Sequence, residues 1–560
     1  MTGVIAVDSV AYSVLERELY ATVVVVRSGD LSGPASVDFV TSSGTAEANK
    51  DFVQSTGTLR FGNRVGRLTV SIPILDDQVS EPTEKFSLSL TAPDSTSSLD
   101  AAATTTVSIL DDEAPLTEPG PDRLVPAYPV SATAMAPGFR YPVSMVFLGD
   151  GLKVLVAEKS GIIRFADLAE STNKTSLVLD WRAHVNDSND RGLLGIALHP
   201  DLKNNPYLYA FYVSDPPDAE TATGPSGRDG EGNRFSYLTR FTLDLSGPTP
   251  KVIQGSEVVL AGAAGQSLSD ISGGGKLHFR DEDMVAERPS NQDEDGHYKR
   301  DFIKIDSQTH AGGAITFGPD GMLYVSTGDG SAFTFADPRA ANVQDIDSLN
   351  GKVLRLDPLT GQGLPDNPYF DGDPGSNRSR VWASGLRNPY AMTFAPDGRL
   401  FISDTGWEAW EEVDMAAGPG ANFGWPFYEG AGRARDYENM PMAQDLQHRI
   451  DAGELVVSGP YAVFGHSDTD PGYRISCIVG SSSVYHGDRY PAAFEGAYFV
   501  TDFYGGEIYA VNTNRPDAVT YVTDLGETGP SNFVLGPDGY IYMVDLTTGR
   551  ILRLEIGEAR

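Results

Sequence analysis

Short apolar runs, broken by frequent glycine (60) and proline (36), predict many short strands rather than long helices. Up to about residue 113 the predicted strands are Tyr20–Arg27 (YATVVVVR), Ser36–Thr41 (SVDFVT), Gly57–Phe61, Arg67–Pro73, Lys85–Leu90 (KFSLSL) and Thr105–Leu110, several with period-2 alternation. That density of strands predicts a small antiparallel β-sandwich over residues 1–113. Residues 114–138 are proline-rich, show little periodicity and read as a semi-stiff linker. From residue 139 to 560 a unit repeats: a turn with Asp-Gly or Pro-Asp, then an aromatic-rich strand. It begins at Leu148, Ala197, Phe317, Phe394, Phe494 and Leu535, as in FGPDGMLYVSTGDG and LGPDGYIYMVDLTTG. These repeats predict a six-bladed β-propeller, so the fold class is all-β. The largest insertion runs from about Ser214 to Lys304.

Charge narrows the functions. A net charge of −35 repels phosphate backbones and excludes nucleic acid as a partner, while carboxylates suit hard cations. A single cysteine, Cys477, rules out an intrachain disulfide and a Cys-based metal site; it is expected on a buried strand. No apolar run is long enough for a transmembrane helix. The N-terminal MTGVIAVDSVAYSV lacks the features of a signal peptide, and the expected location is extracellular or periplasmic.

In the first unit the acids sit at strand ends: Glu16, Asp51, Asp76, Asp77, Asp111 and Asp112. The spacing GTAxxxxDF, ILDDxxxEPTEKFSLSL and a terminal ILDDE resembles the Calx-β domain over the whole unit. The resemblance implies a Ca²⁺ site built from those six residues. Read as residues alone, they are either cation ligands or solvated acidic turns.

Three segments of the repeat region carry candidate chemistry. His310 lies in QTHAGGAITFGPDG beside small residues, and an imidazole in an open cleft suits proton abstraction. Arg387-Asn388 follows RVWASGL and offers a cation and an amide at a strand end. Asp404–Glu412 (DTGWEAWEE) is a glycine-containing acidic turn, a plausible calcium loop. The three are expected to meet at one rim of the ring.

Together with RGLLGIALHPD at Arg191, GKVLRLDP and NFGWP, these segments resemble the soluble glucose/sorbosone dehydrogenases over roughly residues 135–555. The resemblance implies a propeller that binds pyrroloquinoline quinone (PQQ) with Ca²⁺ and oxidises the C1 hydroxyl of sugars. It implies His310 as general base, Arg387 and Asn388 on the quinone carbonyls, and Gly406, Trp407 and Glu411 on Ca²⁺. Asp190 stands where the family has a substrate-side glutamine. The chain departs from the family where lysine and arginine normally pair with the PQQ carboxylates. The late strand reads VTDFYGGEIY, with Tyr504 near the lysine position, and GPSNFVLGPDG contains no arginine. Arg474, Lys299 and Arg489 are candidate substitutes. The expected activity is oxidation of an aldose or related alcohol. The alternatives are a non-catalytic, calcium-stabilised surface protein that recognises a glycan or a protein, and a different enzyme using the same mouth.

Overall fold

The structure is a computed structural model. It describes residues 3–7, 11–15, 20–29, 31, 33–61, 67–75, 84–91, 93, 97–100, 103–110, 128–149, 151–170, 174–265, 267–268, 289–333, 336–430, 432–434, 437, 441–452, 454–466, 475–515, 518–526 and 529–558. The chain divides into two compact units: residues 1–120 with 445–456, and residues 121–444 with 457–560.

The first unit is a sandwich of two sheets. One pairs Arg67–Pro73, Tyr20–Ser28, Gly3–Val7 and Ser97–Leu99 in that order. The other runs Ala11–Leu15, Thr104–Leu110, Glu84–Thr91, Ala35–Ser43 and Thr56–Phe61. Alternation decides which side chains face inward. In Glu84–Thr91, for example, Phe86, Leu88 and Leu90 are buried while the intervening residues are not. Phe52 and Phe86 stack at the centre, with ring centroids 4.1 Å apart.

The sandwich is not purely antiparallel. Gly3–Val7 runs parallel to Ser97–Leu99, and Ala11–Leu15 parallel to Thr104–Leu110. The N-terminal segment supplies one strand to each sheet, and in both it lies beside a strand running the same way. Of the six acids expected to bind calcium, only Asp51 is among the described residues. It is buried, its Oδ2 accepts from the Glu47 amide at 2.6 Å, and its Oδ1 lies 3.3 Å from the Lys50 ammonium. Glu16, Asp76, Asp77, Asp111 and Asp112 lie outside the described residues.

The second unit is a β-propeller. Antiparallel sheets, most of them four-stranded, recur along it, each starting with an innermost strand: Pro142–Phe147, Leu193–Leu198, Gly312–Phe317, Pro389–Phe394, Ile478–Val484 and Pro530–Leu535. Each innermost strand packs against the next, and the last packs back on the first, so the ring closes. Closure reuses the start of the unit. Val130–Pro137, inside the stretch read as linker, is a strand that pairs antiparallel with the final strand, Val130 opposite Ile556 and Pro137 opposite Arg550. That pairing gives the last sheet its outer strand. Small residues let the inner strands approach closely. A side chain at Gly195 would lie 2.0 Å from the Gly313 carbonyl oxygen. A central cavity of about 360 Å³ remains, lined by residues such as Ser144, Gly195, Tyr390, Ser482 and Asn532. Cys477 lies just before the strand Ile478–Val484 and is half-buried rather than fully enclosed.

One device recurs from sheet to sheet. The second strand ends in an acid whose carboxylate accepts from backbone amides where the first strand of that sheet begins. Glu158 Oε1 accepts from Arg140 N at 3.0 Å, Asp404 from Arg387 N at 2.8 Å and Asn388 N at 2.6 Å, Asp502 from Ser476 N at 3.1 Å, and Asp545 from Gly529 N at 3.3 Å. Because neighbouring strands are antiparallel, the entry to strand one and the turn after strand two lie on the same face of the ring. The Pro-Asp-Gly turns lie on the opposite face.

Replacing Phe52 with alanine removes a fully buried, stacked ring and is expected to cost about 3–5 kcal/mol. The check is the unfolding midpoint of the sandwich followed by urea titration of the full chain; an unchanged midpoint contradicts the packing described.

Candidate active site

The face that carries the entry segments and second-strand turns gathers residues from several sheets. His310 immediately precedes the third inner strand and has φ 57°, a conformation costly for a residue with a side chain. Its neighbours are held by a tight crossing: Gly330 N donates to His310 O at 3.0 Å, and a side chain at Gly328 would lie 2.1 Å from that oxygen. The imidazole is buried, and its Nδ1 lies 3.0 Å from Asp329 Oδ1.

Asp329 is the centre of the site. Its Oδ1 also accepts from Ser331 N at 2.8 Å, and its Oδ2 accepts from Trp425 Nε1 at 2.8 Å. Its backbone carbonyl accepts from Lys304 Nζ at 2.6 Å, and its amide donates to the Arg387 carbonyl at 2.8 Å. Burial works to raise the Asp329 carboxyl, but the His310 and Arg387 charges, with the hydrogen bond from His310, hold it below the ordinary aspartate value. Asp329 is therefore ionised and acceptor-only, so Nδ1 of His310 carries the proton and Nε2 keeps its lone pair. Burial and then the Arg387 charge lower the His310 pKa, so the ring is neutral at pH 7.

The segments around 310, 387 and 406 meet directly. Gly312 N donates to Asn388 Oδ1 at 3.0 Å, Arg387 NH1 donates to Thr405 O at 3.0 Å, and Gly406 N donates to Glu411 Oε2 at 3.3 Å. The Arg387 guanidinium lies between the Trp407 and Trp425 rings, 5.5 and 5.3 Å from their centroids. It is buried, yet its Nε has no partner. An unspent guanidinium N–H in a dry site fits an anionic or carbonyl-bearing group such as the quinone end of PQQ.

Asp190 joins the same rim, since its amide donates to Gln308 O at 3.2 Å. Burial raises its carboxyl, against the pull of His310, Lys159 and Arg387. Tyr504 stands at the rim with its side chain largely exposed, and its amide donates to Asp502 Oδ1 at 3.1 Å. Of the candidate substitutes for the family's cations, Arg474 lies outside the described residues. Arg489 donates to Asp538 O at 2.9 Å in a Pro-Asp-Gly turn, which puts it on the opposite face of the ring. The Lys299 ammonium sits 5.0 Å from the Phe302 ring centroid.

The expected calcium loop is built differently from its reading. Trp407, Glu408, Ala409 and Trp410 all donate their backbone N–H to Glu429 Oε1, at 2.6, 2.8, 3.0 and 3.2 Å. The turn thus gathers four amides on one carboxylate oxygen. Glu411 is fully buried and committed elsewhere: Oε1 lies 2.6 Å from His466 Nε2, and Oε2 accepts from Ile478 N at 2.9 Å.

Sequence reasoning passed over Asp329, Trp425, Glu429 and His466. Asp329 had a signal, the TGDG run that follows a strand as SDTG does after Phe401-Ile402. Trp425 lies in the NFGWP run that the resemblance uses, and Glu429 and His466 are brought in by tertiary packing alone.

Comparisons with known proteins agree with this architecture. The Glucose / Sorbosone dehydrogenase family model matches residues 139–288 and 290–553, and the Calx-beta domain model matches residues 1–113. Quinoprotein glucose dehydrogenase B of Acinetobacter calcoaceticus is 29% identical over 255 residues, 43% of this chain and 41% of that protein. The Hedgehog-interacting protein of Homo sapiens is 26% identical over 266 residues, 45% of this chain and 30% of that protein. In both cases the matched stretch spans less than half of the relative's own length. The PQQ-bound aldose sugar dehydrogenase of Streptomyces coelicolor shares the fold, with a TM-score of 0.50 and 22% identity, covering 77% of this chain and 100% of that one.

Because burial and the Arg387 charge lower the His310 pKa in the folded chain from the ordinary value near 6.5, the unfolded chain takes up the proton first as pH falls below about 6.5. Stability is therefore expected to fall from pH 7 to 5 by up to about 1.4 kcal/mol per pH unit from this group. His310→Asn, which has no such proton, should lose less over that range. Equal pH slopes in urea unfolding of wild type and variant contradict a depressed imidazole.

Proposed function

The chain belongs to the glucose/sorbosone dehydrogenase family, and from that premise we propose that its six-bladed propeller oxidises the hydroxyl of an aldose sugar or related alcohol, with PQQ and Ca²⁺. The observation that carries this reading is the His310–Asp329 pair beside Arg387: a neutral imidazole with Nε2 unspent, backed by a carboxylate with several donors. PQQ, when bound, supplies the two-electron acceptor. His310 Nε2 takes the substrate hydroxyl proton, and Asp329 stabilises the imidazolium that results. Arg387, through its unspent Nε–H, and Asn388, which uses its Oδ1 on Gly312 N, would hold the quinone side. Asp190, on the loop tied to Gln308, would meet the substrate. Tyr504 would flank the cofactor at the rim. Trp407 and Trp425 keep water from the guanidinium. Calcium in the first unit, from Glu16, Asp51, Asp76, Asp77, Asp111 and Asp112, belongs to the same proposal, as do the boundaries 1–113 and 139–560 and an extracellular or periplasmic setting.

A second reading has its own observation. The family's carboxylate-pairing lysine and arginines are absent from VTDFYGGEIY and GPSNFVLGPDG, and one relative is named for interaction rather than catalysis. On that reading the mouth recognises a glycan or a protein without turnover.

Dye-linked assays with PQQ, Ca²⁺ and a panel of aldoses separate the two. Turnover is expected in the wild type, with kcat lowered about 10²–10⁴-fold in His310→Ala. Asp329→Asn, which disturbs the tautomer and orientation, should also lower kcat with a smaller effect on KM. No turnover with any aldose, together with glycan binding that survives His310→Ala, supports the second reading instead.

A further inference from the structure

Behind the Arg387-Asn388 turn lies a second group of acids that the proton chemistry does not use. Asp404 ends the strand Leu400–Asp404, and Glu412 and Asp414 sit on the adjacent strand Trp410–Ala416, with Asp404 paired to Glu412 and Ile402 to Asp414. The i, i+2 spacing of Glu412 and Asp414 puts both on one face of the sheet, and the pairing puts Asp404 there too. One carboxylate oxygen from each of the three lies within 4.8 Å of the other two. All three side chains are buried, Asp404 at 4% exposure, Glu412 at 8% and Asp414 at 0%.

Their hydrogen bonds are unequal. Asp404 accepts from the Arg387 and Asn388 amides, and Glu412 accepts from Gly430 N. Asp414 has nothing: both of its carboxylate oxygens are buried without a partner. Among the described residues no lysine or arginine forms an ion pair with any of the three. Glu429, close by, is separately satisfied by the four amides of the 407–410 turn. Three ionised carboxylates at this spacing, one of them with no donor, are strongly unfavourable unless a proton or a cation neutralises them.

We propose that Asp404 and Glu412, the end residues of the acidic turn read as a calcium loop, together with Asp414 hold a hard divalent cation of the calcium class, on a ligand set other than Gly406, Trp407 and Glu411 and other than the acids of the first unit. All-oxygen, all-carboxylate ligation selects such an ion, and donors separated by up to 4.8 Å are spanned by ligand distances of about 2.3–2.6 Å. The ion neutralises Asp414, and through Asp404 it fixes the backbone of Arg387 and Asn388 from behind. It is a structural clamp on the turn that carries the guanidinium, and it does not depend on whether the mouth oxidises a sugar.

The test uses the full chain without PQQ, loaded with Ca²⁺ and freed of excess metal, with bound calcium counted by mass spectrometry. Asp414→Asn and, independently, Glu412→Gln are each expected to carry one equivalent less than wild type. Chelation should lower the Tm of the wild-type propeller and leave that of the variants largely unmoved. Crystals of the wild type should show anomalous density between the three carboxylates, a readout that survives if a variant fails to fold. Equal calcium counts, with Asp414→Asn as stable as wild type in chelator, or no density between the carboxylates, mean that protons neutralise the group and overturn the proposal.

Discussion

The mouth of the propeller is organised by one carboxylate held where water cannot screen it. Asp329 accepts from an imidazole, an indole and a backbone amide, and its own backbone ties the Lys304 ammonium and the Arg387 carbonyl to the same point. In a dry site these interactions are strong because the alternative is an unpaired buried charge. Remove that carboxylate and the His310 ring loses its tautomer and orientation, and the Trp425 indole loses its partner.

The carboxylate is held in place by the topology. In an antiparallel four-stranded sheet, the entry to the first strand and the turn after the second are neighbours, and the ring repeats that adjacency from sheet to sheet. The acids Glu158, Asp404, Asp502 and Asp545 use it to cap the entry amides. In the third sheet the acid of the TGDG turn is spent on a histidine side chain instead. A structural device repeated round the ring is thereby turned, at one position, into a proton-handling pair.

The fold was largely legible in the chain. Asp-Gly turns and aromatic strands marked the repeats, and period-2 alternation marked strands such as Glu84–Thr91 and Arg67–Pro73. Less legible were elements whose partners are far away in sequence. Val130–Pro137 looks like linker because its small residues and closing proline have no strand signature, and it becomes a strand only by pairing with Arg550–Ile556. Gly3–Val7 and Ser97–Leu99 are equally non-local. Within the site, His310, Arg387 and Asn388 stood out by residue type. Glu411 misled, because a surface-looking WEE run hides one acid that points at His466 and another that points at Asp404 and Asp414, and alternation alone does not say which side is dry.

The most direct test of a neutral, carboxylate-backed base beside an unspent guanidinium is the absorbance of PQQ bound to the full chain with Ca²⁺, followed in the stopped-flow after mixing with an aldose at pH 7. The account predicts that the cofactor binds to wild type and to His310→Ala alike, and that sugar reduces it in wild type but not in the variant. It is contradicted if bound PQQ stays oxidised in the wild type with every aldose, or if the variant reduces it at the wild-type rate.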